Sequence, residues 1–266
     1  MPEEKRDLWS SGEAYERYMG RWSRRIAALF LDWLEIGPGK AWIDIGCGTG
    51  ALSTAIAARC EPSRVLGVDP NDALLGGAAS EATERVELRQ GRAEALPCAD
   101  RQFDVAVSGL VLNFVADKDQ AVAEMARVVR DGGIVAAYVW DYAGHMQIMR
   151  RFFDAATALD SRARDFDDGF NAPVCRPEPL RQLFERPRLG EVQVRALDIA
   201  AAFDSFDDYW TPFLGGTGSA PKYCASLAPD ARERLREALE ARLPRGPDGE
   251  ILLAVRAWAV RATVAS

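Results

Sequence analysis

The stretch Asp44-Ile45-Gly46-Cys47-Gly48-Thr49-Gly50 constrains what this chain can fold into more than any other. The apolar run 41–45 has the length and composition of a short strand, and 51–59 reads as the helix that follows. Glycines between a strand and a helix let the backbone turn tightly and let a ligand approach main-chain groups that a side chain would shield. The next strand, 64–69, ends on Asp69, nineteen residues beyond Gly50. A carboxylate there can accept both hydroxyls of a ribose, so turn and acid together indicate an adenosine-containing ligand.

Strand and helix patterns keep alternating beyond this pair. Strands are expected at 86–90, 103–108 and 134–140, with a helix at 118–130 closed by Asp131-Gly132-Gly133. Asn71 or Asp72 can cap the helix after Asp69. Such alternation implies parallel pairing with helices on both faces, a doubly wound α/β sheet. Before it, apolar residues at helical spacing from Tyr15 to Leu34 form an amphipathic helix interrupted near Gly20. After Trp140 the rhythm changes. Helices are expected at 145–159, 179–185 and 228–242, strands at 191–199 and 251–260, and an irregular acidic stretch at 160–177, with Asp165 to Asp168 as a solvated loop. The expected organisation is a single domain over 1–266. It has N-terminal lid helices at 8–36, a core at 40–141 and cap insertions at about 142–176 and 203–247.

Composition narrows the function. The chain has 266 residues, 48% apolar and 27% charged, an ordinary globular balance. Thirty-three basic against forty acidic residues give a net charge of −7, which argues against a protein that neutralises phosphate backbones, so no nucleic-acid partner is expected. Five scattered cysteines without a C-x-x-C pair suit a reducing cytosol. With one histidine, His145, a His/Cys metal site is not expected. The charged N-terminus and the lack of an apolar run near 20 residues lead to the expectation of a cytoplasmic protein with no membrane partner.

Two cofactor classes compete for the glycine turn. Gly46-x-Gly48-x-x-Ala51 satisfies the dinucleotide fingerprint, so an NAD(P)-dependent oxidoreductase of Rossmann type stands as an alternative. Against it, Asp44 lies two residues before the first glycine, where it would repel a pyrophosphate but attract a cationic amino group. Gly50 follows a G-x-G-x-G spacing, and a helix precedes the first strand.

With these motifs the sequence resembles the class I S-adenosylmethionine-dependent methyltransferases, particularly the small-molecule type 11 group, well over about 10–140 and more loosely beyond. The resemblance implies a Rossmann-like, mostly parallel seven-stranded sheet with helical cap insertions and an EC 2.1.1 activity releasing S-adenosylhomocysteine. It places Asp44, Gly46 and Gly48, with Cys47 between them, at the methionine part of the cofactor. Asp69 falls at the ribose, and Pro70 and Asn71 beside the adenine. Gly91-Arg92-Ala93-Glu94-Ala95-Leu96-Pro97 is similar to the family's G-D-A-E-x-L-P, with the Ala93 amide on adenine and Arg92 in place of the usual Asp. Ser108 and Gly109 would lie near the methionine end, Arg21 would pair with the cofactor carboxylate, and Tyr18 or Met19 would cover the sulfonium. Asn113 stands where relatives often carry His. The last strand would be the fold's antiparallel one.

The expected reaction is in-line methyl transfer to a small-molecule acceptor, by a monomer or homodimer. A non-catalytic S-adenosylmethionine-binding regulatory protein is a further alternative. A base is needed only for an acceptor holding a proton, and the candidates follow the fifth strand: Asp141, Tyr142 and His145. Asp141 can equally cap the next helix, and His145 can be capping or solvated. Trp9, Trp140, Tyr209, Trp210 and Phe213 can line an apolar pocket or form core. Cys47 reads as a small filler rather than a nucleophile.

Overall fold

The structure is a computed structural model that describes residues 19–78, 86–186, 188–216 and 218–265. Helix α1 (Arg21–Leu34) starts after a short π turn at 19–20, where the sequence places its interruption. It buries Ile26, Ala27, Phe30, Leu31 and Leu34 at spacings of three and four, with the Phe30 ring 4.7 Å from that of Tyr138.

β1 (Ala41–Ile45) leads through the glycine turn into α2 (Ala51–Arg59), and β2 (Arg64–Asp69) into α3 (Asp72–Ala78). The Asn71 carboxamide oxygen accepts the Ala73 amide at 3.1 Å, as its capping position suggests. Then come β3 (Val86–Gln90), β4 (Phe103–Gly109), α4 (Lys118–Val128) and β5 (Val129–Trp140). The later strands are β6 (Leu189–Phe203) and β7 (Ile251–Val264), and all seven form one sheet in the order β3-β2-β1-β4-β5-β7-β6. β1 pairs in parallel with β2 and β4, β2 with β3, and β4 with β5. β7 runs antiparallel to β5, from Trp140↔Ala257 to Ile134↔Thr263. β1, β2 and β4 are buried along nearly their whole length, as strands covered on both faces must be, whereas β3 at the sheet edge is not.

Two expectations need correction. The helix at 118–130 stops at Val128, and Gly132 (φ +76°) belongs to a bulge in β5 rather than to a helix cap. A Cβ at Gly133 would lie 2.5 Å from the Asp104 carbonyl oxygen, so only glycine lets β5 come this close to β4. The acidic stretch 160–177 is ordered into short helical turns, at Ser161–Phe166, Asp168–Asn171 and Pro173–Cys175. Asp167, placed in the solvated loop by sequence, is 1% exposed and pairs with Arg150 at 2.6 Å.

The described residues group into two compact units. One takes in 23–140, 174–197 and 257–265; the other takes in 19–22, 141–173 and 198–256. The second holds α5 (Gln147–Leu159), α6 (Asp168–Asn171), α8 (Phe206–Trp210), α9 (Ser219–Ser226) and α10 (Pro229–Glu240), whereas α7 (Pro177–Phe184) belongs to the first. Its core is aromatic: Phe152 stacks on Phe213 at 4.6 Å, and Tyr209 donates its hydroxyl to the Ile148 carbonyl at 2.9 Å.

Candidate functional site

The glycine turn sits at the carboxyl end of β1, in the middle of the sheet, where Asp44 lies opposite Gly67 of β2 and Val107 of β4. Asp44 is 1% exposed and accepts the Ser53 hydroxyl at 2.7 Å from the first turn of α2. Burial pushes its carboxyl up to about 7, helped by the neighbouring Asp69 charge and opposed by the Ser53 hydrogen bonds. Gly46, Gly48 and Gly50 all have positive φ (75°, 54° and 84°). A Cβ at Gly46 would lie 2.5 Å from Val111 Cγ1, whereas around Gly48 the space is open.

The amides of this turn are engaged within the chain. Those of Gly46 and Cys47 donate to the Val68 carbonyl (2.7 and 3.1 Å), that of Gly50 to the Cys47 carbonyl (2.8 Å) and that of Gly48 to Asp69 Oδ2 (3.0 Å). Asp69 Oδ1 accepts the Asn71 amide at 2.8 Å. Each carboxylate oxygen has two lone-pair directions, so one on each oxygen remains for a pair of vicinal hydroxyls. Burial raises the Asp69 carboxyl while its two amide partners lower it.

Gly91 begins the next loop, its amide on the Asp69 carbonyl at 3.1 Å and its Cα so close to Pro97 and Val68 that a Cβ would meet them at 2.7 and 2.9 Å. The loop is held from below by α4. Glu124 accepts the Leu96 amide at 2.8 Å, and Arg127 donates to the carbonyls of Leu96 and Cys98 while pairing with Glu124 at 2.6 Å. Arg92 pairs with Glu94 at 3.3 Å, which leaves half-buried Ala93 between two facing side chains.

A family model described as "Methyltransferase domain" matches residues 43–137, which begin at β1 and end inside β5. Residues 43–137 thus match a class I S-adenosylmethionine-dependent methyltransferase domain. S-adenosylmethionine is that domain's cofactor. A demethylmenaquinone methyltransferase of Desulfitobacterium hafniense is 38% identical over 110 residues, 39% of this chain and 44% of that protein. A trans-aconitate 2-methyltransferase of Deinococcus radiodurans is 28% identical over 158 residues, 58% and 59% of the two chains. The chain thus spans about half the length of these relatives. The YcgJ protein of Bacillus subtilis superposes with a TM-score of 0.60 at 20% identity, over 91% of this chain and 99% of that one, a likeness of fold.

The methyltransferase domain fits its cofactor on the geometry of the turn. Two buried carboxylates and an open Gly48, with four turn amides already bonded, offer room and negative charge for a cationic aminoacyl group rather than donors for a pyrophosphate. Asp44, Gly46, Cys47, Gly48, Asp69, Pro70, Arg92, Ala93, Glu94, Ser108 and Gly109 all fall in the first unit. Ser108 is fully buried with its hydroxyl on the Ile45 carbonyl at 2.9 Å, and a Cβ at Gly109 would meet Tyr138 Oη at 2.6 Å. These two residues tie the ends of β1, β4 and β5 together. Cys47 is buried, and burial beside Asp44 and Asp69 pushes its thiol up, the reverse of what a nucleophile needs.

Arg21, Asp141, Tyr142 and His145 fall in the second unit, and Tyr18 and Trp9 lie outside the described residues. The Arg21 guanidinium meets Asp208 at 3.3 Å and covers the rings of Trp22 and Phe203 at 4.3 and 4.7 Å. These residues line a cleft with Ile148, Tyr209 and Phe213, so two of the expected pocket aromatics line a common opening. Trp210 is buried in the same unit and Trp140 in the sheet. Asp141 accepts the His145 amide at 2.8 Å and so caps the turn before α5. Tyr142 is 6% exposed. Among the described residues no group of three or more His, Cys, Asp or Glu is placed to hold a metal, and no helix is long and apolar enough to cross a membrane.

Sequence reasoning missed Ser53, Val111, Glu124 and Arg127. Only the last two left a signal, an acid and a base at i, i+3 on one helix.

Proposed function

We propose that this chain transfers a methyl group from S-adenosylmethionine to a small-molecule acceptor. The observation that carries the reading is the pairing of two buried carboxylates with a glycine turn whose amides are already bonded. When bound, the cofactor supplies a methyl group on a sulfonium, a leaving group that needs no further activation. Asp44 attracts the cationic end, Asp69 accepts the ribose hydroxyls, and the loop 91–97, braced by Glu124 and Arg127, borders the adenine. The protein's work is then alignment and exclusion of water, and alignment of two reactants is worth about 7–11 kcal/mol. The net charge of −7 and the small molecules named for the demethylmenaquinone and trans-aconitate relatives favour a small acceptor over a nucleic acid.

Calorimetry with S-adenosylhomocysteine and with NAD tests the reading. Tight binding of the former alone is expected; binding of NAD alone overturns it in favour of a dinucleotide enzyme. If the cofactor product binds but radiolabelled methyl-donor turnover over varied small acceptors stays silent, a regulatory role replaces the catalytic one.

A further inference from the structure

Four polar side chains are linked around the turn that follows β5. Arg256 on β7 grips Asp198 on β6 with two parallel bonds, Nε to Oδ1 at 2.7 Å and Nη2 to Oδ2 at 3.0 Å. Its remaining nitrogen, Nη1, lies 3.3 Å from His145 Nδ1. The backbone fixes the same residues, with the Arg256 amide on the His145 carbonyl at 3.1 Å and the Asp141 amide on the Arg256 carbonyl at 3.0 Å. Asp141 Oδ2, which accepts the His145 amide at 2.8 Å, lies 3.7 Å from Nδ1.

A guanidinium has only donors and does not deprotonate in proteins. The ring nitrogen facing it must therefore present its lone pair, and a neutral imidazole with a lone pair on Nδ1 carries its proton on Nε2. Asp141 pulls the other way, because a carboxylate favours Nδ1–H. It stands beyond hydrogen-bond reach, however, and already holds the His145 amide, while Arg256 is nearer and oriented by Asp198.

We infer that Arg256, oriented by Asp198, fixes His145 as its Nε2–H tautomer, so that the exposed edge of the ring offers an acceptor molecule a hydrogen-bond donor for a carbonyl or carboxylate oxygen, and not a base. Arg256 and Asp198 are positioning residues for that role. The ring is 55% exposed, so Nε2–H is accessible. The role expected from sequence, removal of a proton by His145, requires the opposite tautomer. The acceptor part of this inference rests on the methyltransferase reading; the tautomer does not.

His145 is the chain's only histidine, so histidine-selective 15N labelling of the full chain yields the spectrum of one ring. Long-range 1H–15N correlation, recorded well above the ordinary histidine pKa of about 6.5, distinguishes the tautomers directly. The expected pattern is protonated Nε2 and unprotonated Nδ1. Arg256→Met should turn the ring toward Nδ1–H, because Asp141 is then its neighbour, and Arg256→Lys, still a donor, should restore the original pattern. Nδ1–H in the unaltered chain, or an unchanged pattern in Arg256→Met with S-adenosylhomocysteine affinity retained, overturns the inference. If Arg256→Met does not fold, the pattern of the unaltered chain still decides. Failure of the unaltered chain to bind S-adenosylhomocysteine would defeat the methyltransferase reading alone. On acceptors that turn over, His145→Gln, which keeps a donor, should stay within about tenfold of the parent in kcat. A lost base would lower it by about 100-fold or more, the same as His145→Ala.

Discussion

The two units of this molecule achieve order by different means. In the first, regular strands bring residues distant in sequence to the carboxyl ends of β1 and β2, and close approach is secured by glycines at 46, 91 and 109. In the second, helices of four to thirteen residues and single turns are held by stacked rings and by ion pairs such as Arg150 with Asp167. The first arrangement sets backbone positions by contacts too close to admit a Cβ, and a bound cofactor depends on such positions. The second relies on side-chain volume, which tolerates changes of sequence so long as the volume is kept.

If that contrast is right, the largest effect should come from the aromatic unit. Phe213 is fully buried and stacked on Phe152, so Phe213→Ala should cost about 3–5 kcal/mol in chemical denaturation, whereas Phe213→Leu should recover most of it. A loss under 1 kcal/mol would show that stacking is not what orders this unit.

The next effect belongs to Asp44 and is read from pH. Its folded carboxyl titrates at about 7, above the ordinary 3.8, so the folded state holds that proton more tightly than the unfolded one across this window. Stability without ligand should therefore fall as pH rises from about 4 to about 7, by up to about 4 kcal/mol, with Asp69 acting in the same direction. Asp44→Asn should flatten that slope in thermal melts. Affinity for S-adenosylhomocysteine should move oppositely, rising by up to about tenfold per pH unit below 7 as the carboxylate forms.

Backbone precision is tested by a pair of glycines. Gly46 and Gly39 share φ near +75°, but only Gly46 has a neighbour, Val111, within reach of a new Cβ. Gly46→Ala should lose about 1–3 kcal/mol more stability than Gly39→Ala, and with it S-adenosylhomocysteine binding. Equal losses would mean that φ strain alone matters there. Asp69→Ala leaves the fold's stability aside and should cost about 1.5–3 kcal/mol of S-adenosylhomocysteine affinity by calorimetry. Unchanged affinity would remove Asp69 from the ribose.

The same contrast explains what could be read from the sequence. The alternation of strands and helices from Ala41 to Trp140, and the turn with its downstream acid, are local patterns, and the structure places them as expected. Gly132 misled because glycine serves helix caps and strand bulges alike, and the choice depended on the neighbouring strand, where Phe103 pairs with Val129 and Val105 with Ile134. Asp167 misled because its partner, Arg150, lies seventeen residues away across a turn. Ser53 and Val111 were invisible because a buried hydroxyl and a single valine carry no pattern; only packing against Asp44 and Gly46 gives them a role.

Cys47 lies inside the glycine turn, its sulfur 2.9 Å from where a Cβ on Gly67 would be, buried and held as a thiol. An alkylating reagent needs both access and a thiolate, so it can reach this sulfur only while the turn is open. The rate of Cys47 labelling, resolved from half-buried Cys60 and Cys98 by peptide mass, thus clocks the opening of the cofactor turn. Any ligand that fastens the turn should slow that clock in proportion to its occupancy, with no knowledge of the acceptor required.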